Sequence, residues 1–300
     1  MDKKENAPGS GAIKRPAFAG SWYPSGARAC ENAIQTFLKG GRSDPCFSGK
    51  GLGGIVPHAG WAYSGRIACR VFDILARHHP GLDTIILFGA HMHSSSPGFT
   101  MDPGGVETPF GNLEVDTSFL KALVSRLSWA KDRIKRLSPK AFPDENTIEL
   151  QFPFIRYFFP NSRIIVWGVP PTDLSVHIGQ ACAQTARDLG RSILVVGSTD
   201  MTHYGPNFAF EPAGKGKKAL EWVVSENDAQ AIRAMEKMDS QGILDQGLAH
   251  QNLCCPGAVA AAAAACKKMG AAKGICLDHA TSFDIAPATS FVGYCGMIYV

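Results

Sequence analysis

The chain has 300 residues and a hydrophobic content of 45%, which is enough to bury the core of one large domain. Its 30 basic and 26 acidic residues give a formal charge of +4 without a basic block or stripe, which argues against nucleic-acid binding. No apolar run approaches the roughly 20 residues of a membrane span, and the first 14 residues are too polar for a secretory signal. We therefore expect a cytoplasmic protein that partners neither nucleic acid nor membrane.

Strand and helix patterns alternate along the chain. Residues 1–13 are polar and predict a disordered leader, followed by a single domain over 14–300. The first half then predicts, in order, helix 27–38, strand 54–57, helix 64–77, strand 84–88, a loop-rich stretch 91–109 with a short strand at 99–101, and helix 117–127 with Asp116 as its N-cap. The second half predicts a helix over 145–159 interrupted near Pro153, strand 163–169, helix 173–189, strand 192–197, helices 217–238, 241–248 and 257–268, and strands 274–278 and 290–300, the last as an antiparallel edge or meander. This order predicts an α/β fold, a three-layer sandwich with a mostly parallel central sheet and antiparallel additions.

The nine cysteines are an odd number in a large chain, and most lie among apolar residues. That usage favours reduced thiols in a reducing compartment over a disulfide framework. Cys254 and Cys255 differ from the rest because they precede Pro256 at the start of a predicted helix, where the helix dipole lowers a thiol pKa. A reactive or ligating thiol and a small buried residue are both open readings of this junction.

Three predicted strands end just before residues that can ligate a metal. Ligands collect at the carboxyl ends of strands in open α/β sheets, so these residues are expected to share one site. The strand ends are Ile55-Val56-Pro57-His58, then Ile85 to Ala90 followed by His91, and Ile193 to Ser198 followed by Asp200 and His203. His93 can replace His91, because alternate residues of an extended segment point to the same side.

A divalent metal site needs two or three imidazoles together with a carboxylate or thiolate. His58, His91 and His203 can supply the nitrogens, and the anionic candidates are Asp200, Glu149 and Cys254. Trp61 and Tyr63 follow His58 and are either substrate-facing aromatics or packing anchors. The chain has no Gly-x-Gly-x-x-Gly after a strand, no P-loop lysine and no Gly-x-Ser-x-Gly, which disfavours nucleotide binding and serine hydrolysis.

Several segments, spread in order over nearly the whole chain, resemble the Memo family, whose bacterial and archaeal branch is labelled AmmeMemoRadiSam system protein B. They are Ala19-Gly20-Ser21-Trp22-Tyr23, Pro57-His58-Ala59-Gly60-Trp61-Ala62-Tyr63-Ser64-Gly65, Gly89-Ala90-His91, Thr108-Pro109-Phe110-Gly111, Asn146-Thr147-Ile148-Glu149, Ser198-Thr199-Asp200-Met201-Thr202-His203-Tyr204-Gly205 and Cys254-Cys255-Pro256. The family usually has His-Ser-Ile-Glu where this chain has residues 146–149, and a longer Gly-Pro-Ser-His where it has residues 89–91.

The family is similar in structure to class III extradiol ring-cleavage dioxygenases, which are non-haem iron enzymes. The resemblance implies that His58, His91 and Cys254 ligate a metal and that His203 is the acid–base residue. We expect Asp200 to support His203, and Trp61, Tyr63 and Glu149 to contact substrate. The implied cofactor is iron(II), with copper or zinc as alternatives, and the implied partner is a small phenolic molecule or a peptide. The competing readings are a non-catalytic binding protein, a metal-assisted hydrolase and a Cys254–His203 nucleophilic enzyme.

Overall fold

The computed structural model describes residues 11–39 and 50–300. Most of the predicted disordered leader, residues 1–13, lies outside these ranges, and its last residue, Ile13, belongs to the first strand. No helix in the described part of the chain is both long enough and apolar enough to cross a membrane.

Strands and helices alternate along most of the described chain. The strands are β1 (Ile13–Lys14), β2 (Gly53–Val56), β3 (Thr84–Gly89), β4 (Gly98–Met101), β5 (Gly105–Val106), β6 (Leu113–Glu114), β7 (Ile134–Leu137), β8 (Arg163–Gly168), β9 (Ile193–Ser198), β10 (His203–Tyr204), β11 (Gly274–Thr281) and β12 (Phe291–Tyr299). The helices are α1 (Ala27–Lys39), α2 (Trp61–His78), α3 (Thr117–Arg126), α4 (Asn146–Glu149), α5 (Phe152–Phe158), α6 (Asp173–Leu189), α7 (Lys217–Trp222), α8 (Asp228–Glu236), α9 (Ser240–His250) and α10 (Pro256–Met269).

Local sequence signals set several helix ends. Asp116 precedes α3, and its side chain accepts a hydrogen bond from the backbone N–H of Phe119 at 3.0 Å, as predicted for an N-cap. Gly190 ends α6 in the left-handed conformation, with φ of 61°. Pro256 opens α10, where its missing N–H costs no helical hydrogen bond.

The large sheet has the strand order β10-β12-β2-β9-β3-β8-β4-β7, with β11 paired to β12. Its centre is parallel, since β9 pairs in parallel with both β2 and β3, and β3 with β8. Antiparallel pairing occurs between β4 and β8 and between β12 and β2. Every residue of β2, β3 and β9 is buried, which explains their continuous apolar runs. A separate small sheet contains β1, β5 and β6.

Helices cover both faces of the large sheet. A Cβ atom on Gly53 would meet the sulfur of Cys266 in α10, whereas a Cβ on Gly54 would meet Val71 in α2. Successive residues of a strand face opposite sides, so α2 and α10 lie on opposite faces. Helices α1 and α5 pack against α2, and α6 packs against α10. The predicted three-layer α/β architecture is confirmed.

The structure departs from the predicted local structure in several places. Strands β1, β5, β6, β7 and β10 were not predicted. Helix α2 begins at Trp61 rather than at residue 64, so Trp61 and Tyr63 lie in its first turn and not in a loop. The helix predicted over 217–238 is divided by a π-helical turn, Val223–Asn227. Asn227 and the next residue, Asp228, form hydrogen bonds with Thr202. Strand β12 is antiparallel as predicted. Of the two predicted positions, edge or meander, the edge is wrong, because β12 pairs with β2 on one side and β11 on the other.

Candidate metal centre

The candidate centre lies where three parallel strands end side by side. Strands β2, β9 and β3 are consecutive in the sheet, so their carboxyl ends meet at one edge. His58, Asp200 and His91 each follow the last residue of one of these strands by two positions. The expectation that three separate strand ends converge is therefore met by the order of the strands.

Two histidines and two cysteines form a compact group at this edge. One ligand atom from each of His58, His91, Cys254 and Cys255 lies within 4.8 Å of the others. The Sγ atom of Cys254 is 3.2 Å from Nε2 of His58, and the two imidazole rings are nearly perpendicular, with centroids 5.1 Å apart. His58 is buried, whereas 43% of the His91 side chain is exposed, so the group opens to solvent beside His91.

Several hydrogen bonds fix His58. Its backbone N–H donates to Oδ1 of Asp200 at 2.7 Å, and its Nδ1 is 3.0 Å from the hydroxyl of Ser198. Gln151 donates to the carbonyl of Pro57 at 3.0 Å and lies 3.4 Å from the same hydroxyl. Burial opposes the charged form of His58, but the charges of Asp200 and Cys254 outweigh burial and raise its pKa. These contacts hold Nε2 towards the Cys254 sulfur.

Cys254 lies in surroundings that favour its thiolate. Burial raises the pKa of this thiol, but the hydrogen bond from Cys255 and the neighbouring His58 and His203 lower it well below the ordinary value. The backbone N–H of Asp200 also donates to the sulfur at 3.2 Å. The pKa of Cys255 is raised well above the ordinary value by burial and by its contact with Cys254, at 3.8 Å between the sulfurs. The surroundings of the two adjacent cysteines therefore differ: they favour the thiolate at Cys254 and the neutral thiol at Cys255.

His91 is the histidine of the second strand end that enters the group, and His93 is not. The Nδ1 atom of His93 instead interacts with the hydroxyl of Ser95 at 2.8 Å. Nδ1 of His91 lies 3.3 Å from a carboxylate oxygen of Glu145. Burial lowers the pKa of His91, but contacts with Cys254 and Glu145 raise it to about 10. Burial likewise raises the pKa of Glu145, and the His91 contact lowers it below its usual range.

Asp200 and His203 border the group. Asp200 is 4% exposed, and its Oδ2 lies 3.9 Å from Nε2 of His58. Burial is the largest influence on the Asp200 carboxyl and raises its pKa, although the charges of His58 and His203 oppose the rise. The His203 ring lies against Phe208, and its Nε2 is buried without a hydrogen-bond partner among the described residues. An unsatisfied imidazole nitrogen next to a thiolate is suited to a ligand or a reacting proton.

Trp61 and Tyr63 differ in accessibility. Trp61 is buried, donates its indole N–H to the carbonyl of Leu150 at 3.2 Å, and stacks on Phe154 with ring centroids 4.2 Å apart. Tyr63 is 42% exposed and lines a shallow depression together with the exposed Trp22. Tyr63 is thus accessible to a ligand, whereas Trp61 packs beneath the surface.

The carboxylate of Glu149 binds the N-terminal segment. It accepts hydrogen bonds from the backbone N–H groups of Ala17 and Phe18 at 2.8 and 2.7 Å, and from the Tyr23 hydroxyl at 3.1 Å. Glu149 is 3% exposed. Through these contacts Glu149 anchors the segment that carries Trp22. Contact between Glu149 and a substrate stays a prediction.

The donor set fits a transition metal. Two imidazoles and a thiolate are ligands for iron(II), copper and zinc, whereas magnesium and calcium prefer oxygen. Sequence reasoning singled out the Cys254-Cys255 junction but placed only Cys254 in the set, and it missed Glu145 as a neighbour. The adjacency of Cys255 to Cys254 was the available signal for Cys255, but Glu145 precedes a short helix and carries no pattern that distinguishes it from a surface acid.

Comparisons with known proteins match nearly the whole chain. The profile of the Memo-like protein family matches residues 14–298. A MEMO1 family protein of Pyrococcus abyssi is 32% identical over 297 residues, covering 95% of this chain and 99% of that protein. MEMO1 family proteins of Thermococcus onnurineus and Methanopyrus kandleri are each 30% identical, covering 96% and 95% of this chain and 99% and 98% of those proteins. The crystal structure of an uncharacterized protein from Escherichia coli K12 aligns with a TM-score of 0.45 and 10% identity, covering 76% of this chain and 91% of that chain.

Proposed function

This chain belongs to the Memo family, and we propose that it is a metalloprotein that binds iron(II) through His58, His91 and Cys254. The observation that carries this proposal is the Cys254 sulfur, held 3.2 Å from Nε2 of His58 within the group of four ligand atoms. A thiolate and two imidazoles leave room at the metal for further ligands. The thiolate is softer and more easily oxidised than a carboxylate, so a redox-active metal is favoured.

We propose a dioxygenase-like oxidoreductase activity on a small phenolic substrate. Bound iron(II) would supply Lewis acidity and a redox couple at the edge of the sheet. His203 transfers a proton to or from the substrate at Nε2, the atom that is buried without a partner among the described residues. Asp200 positions His58 through its backbone and lends negative charge to both histidines.

Metal content after anaerobic purification tests the ligand set. Wild type is expected to hold iron stoichiometrically, and His58→Ala, His91→Ala and Cys254→Ala are each expected to lose most of it. His93→Ala is the matched control, because His93 faces Ser95 outside the group, and should retain the metal. Unchanged iron in both His58→Ala and Cys254→Ala would overturn the site. Copper or zinc in place of iron at the same residues would overturn the choice of metal.

Oxygen consumption with a catechol tests the proposed activity. The iron-loaded protein should consume dioxygen, and His203→Ala should abolish consumption without loss of bound iron. Equal turnover in wild type and His203→Ala would exclude the proton-transfer role. Activity that persists in chelator and disappears on alkylation of Cys254 would instead indicate a cysteine nucleophile.

A second candidate is a non-catalytic protein that binds a peptide beside the metal. The depression lined by Trp22 and Tyr63, which are 40% and 42% exposed, favours it because exposed aromatics adjoin the His58 loop. Trp22→Ala and Tyr63→Ala should then weaken peptide binding while iron content stays unchanged. Catechol turnover by the iron-loaded protein would reject a purely non-catalytic role.

We also propose that the protein works in the cytoplasm. Every cysteine in the described part of the chain is a free thiol, as is usual in a reducing compartment. A thiolate metal ligand would be easily oxidised elsewhere. Fractionation of cells that produce the native chain would test this location.

A further inference from the structure

A second pair of cysteines lies outside the metal centre, on the neighbouring strands β11 and β12. The sulfur atoms of Cys276 and Cys295 are 3.6 Å apart. Cys276 stands opposite Met297 in the strand register, and the register shifts between Cys276 and Asp278. Such an irregularity re-aims side chains along a strand, which accounts for contact between two cysteines that are not directly opposed.

We propose that Cys276 and Cys295 form a reversible disulfide when the protein meets a two-electron oxidant such as hydrogen peroxide. The Cys276 thiolate attacks a peroxide oxygen, the O–O bond breaks, and the departing hydroxide takes up a proton to give water. The Cys295 sulfur then attacks the resulting sulfenic acid, and its proton leaves with the displaced hydroxide as a second water. Two thiols and one peroxide give one disulfide and two waters.

The two thiols of the pair differ in exposure and in pKa, so they act at different steps. Cys276 is partly exposed, whereas Cys295 is buried, so an oxidant reaches Cys276 first. The hydrogen bond from Cys295 lowers the pKa of Cys276 although burial opposes it, and nearby His279 lowers it further. The same contact and burial raise the pKa of Cys295. Cys276 is therefore the thiol that meets the oxidant, and Cys295 is the thiol that resolves the product.

Outside the metal centre, Cys30, Cys69, Cys182 and Cys266 are also buried, and burial is the main cause of the raised pKa of each of these thiols. The Cys276–Cys295 pair is also separate from Cys254 and Cys255, which come directly before α10. However, β12 carries both Cys295 and Val292, and Val292 pairs with His203. The disulfide would therefore form in the strand that supports the rim of the metal centre.

The sequence allows a direct test by mass spectrometry. Residues 274–300 contain neither lysine nor arginine, so one tryptic peptide carries both cysteines and excludes the cysteines of the metal centre. The full-length protein is exposed to peroxide, its remaining thiols are alkylated after denaturation, and the peptide is weighed. We expect the peptide without alkyl groups and lighter by two hydrogen atoms, with both alkylation sites restored by prior reduction.

Two variants distinguish the proposed sequence of events. Cys276→Ser should abolish the disulfide and leave Cys295 as an alkylatable thiol. Cys295→Ala should leave Cys276 as a sulfenic acid that dimedone traps. The proposal is overturned if the oxidised wild-type peptide still takes two alkyl groups, or if Cys276 advances to the sulfinic acid while Cys295 stays free.

Discussion

Asp228 is predicted to be a major determinant of stability, and Asp228→Asn tests this. Its carboxylate has no exposed surface and accepts hydrogen bonds from the Thr202 backbone N–H at 3.1 Å, from the Thr202 hydroxyl and from Nε2 of His279 at 2.8 Å. Asparagine keeps the shape but removes the charge, so the protonated His279 loses its partner. Hydrogen bonds to charged groups contribute about 1.5–3 kcal/mol each, and breaking a buried charge pair costs about 3–5 kcal/mol. We expect a loss of about 3–5 kcal/mol.

The pH dependence of this loss identifies the His279 contact. Burial lowers the pKa of His279, but the hydrogen bond and charge of Asp228 outweigh burial and raise it. A raised histidine pKa means that the contribution to stability is complete below the unfolded value of about 6.5 and disappears as the pH rises through the folded value. The difference between wild type and Asp228→Asn should therefore be largest near about pH 6 and shrink at higher pH.

Urea unfolding of both proteins across this pH range provides the measurement. Asp245→Asn is the control, because Asp245 is exposed and accepts from Gln241 in the same region of the chain, and it should change stability by less than about 0.5 kcal/mol. A loss below about 1 kcal/mol for Asp228→Asn, or a loss that does not change with pH, would refute the proposed role of the Asp228–His279 contact.

Three further substitutions test other parts of the structure. Glu149→Ala removes the acceptor for the N-terminal segment, so chymotryptic cleavage after Trp22 should accelerate, and unchanged cleavage would contradict the anchoring role. Ala90 has a φ of 78°, where a side chain costs about 1–3 kcal/mol, so Ala90→Gly should leave the thermal midpoint unchanged or raise it, and a clear decrease would refute strain there. A Cβ on Gly179 would overlap the backbone of Ala261, so Gly179→Ala should destabilise the protein by about 1–3 kcal/mol in urea unfolding, and a neutral result would show that α6 and α10 can separate freely.

The amino-acid sequence by itself determined the kinds of most elements and the residues at the ends of several helices. Continuous apolar runs predicted β3 and β9, and Gly190 marked the end of α6 at the observed residue. These signals are local, because strand periodicity and helix capping depend on neighbours a few positions away. The same locality placed His58 and His91 just beyond strand ends. Local pattern made Cys254 one of three anionic candidates, and the family resemblance selected it as the third ligand.

Only the tertiary structure decided which of these residues meet. The order β2-β9-β3 brings His58, Asp200 and His91 to one edge, and this order depends on strand pairing between distant parts of the chain. Glu145 lies beside His91, whereas Glu149 accepts hydrogen bonds from the N-terminal segment, although both acids lie at one short helix. Cys276 contacts Cys295 beside a shift in the strand register, and no sequence pattern predicts that shift. Side-chain partners of this kind are set by packing across the sheet, and periodicity along the chain carries no information about them.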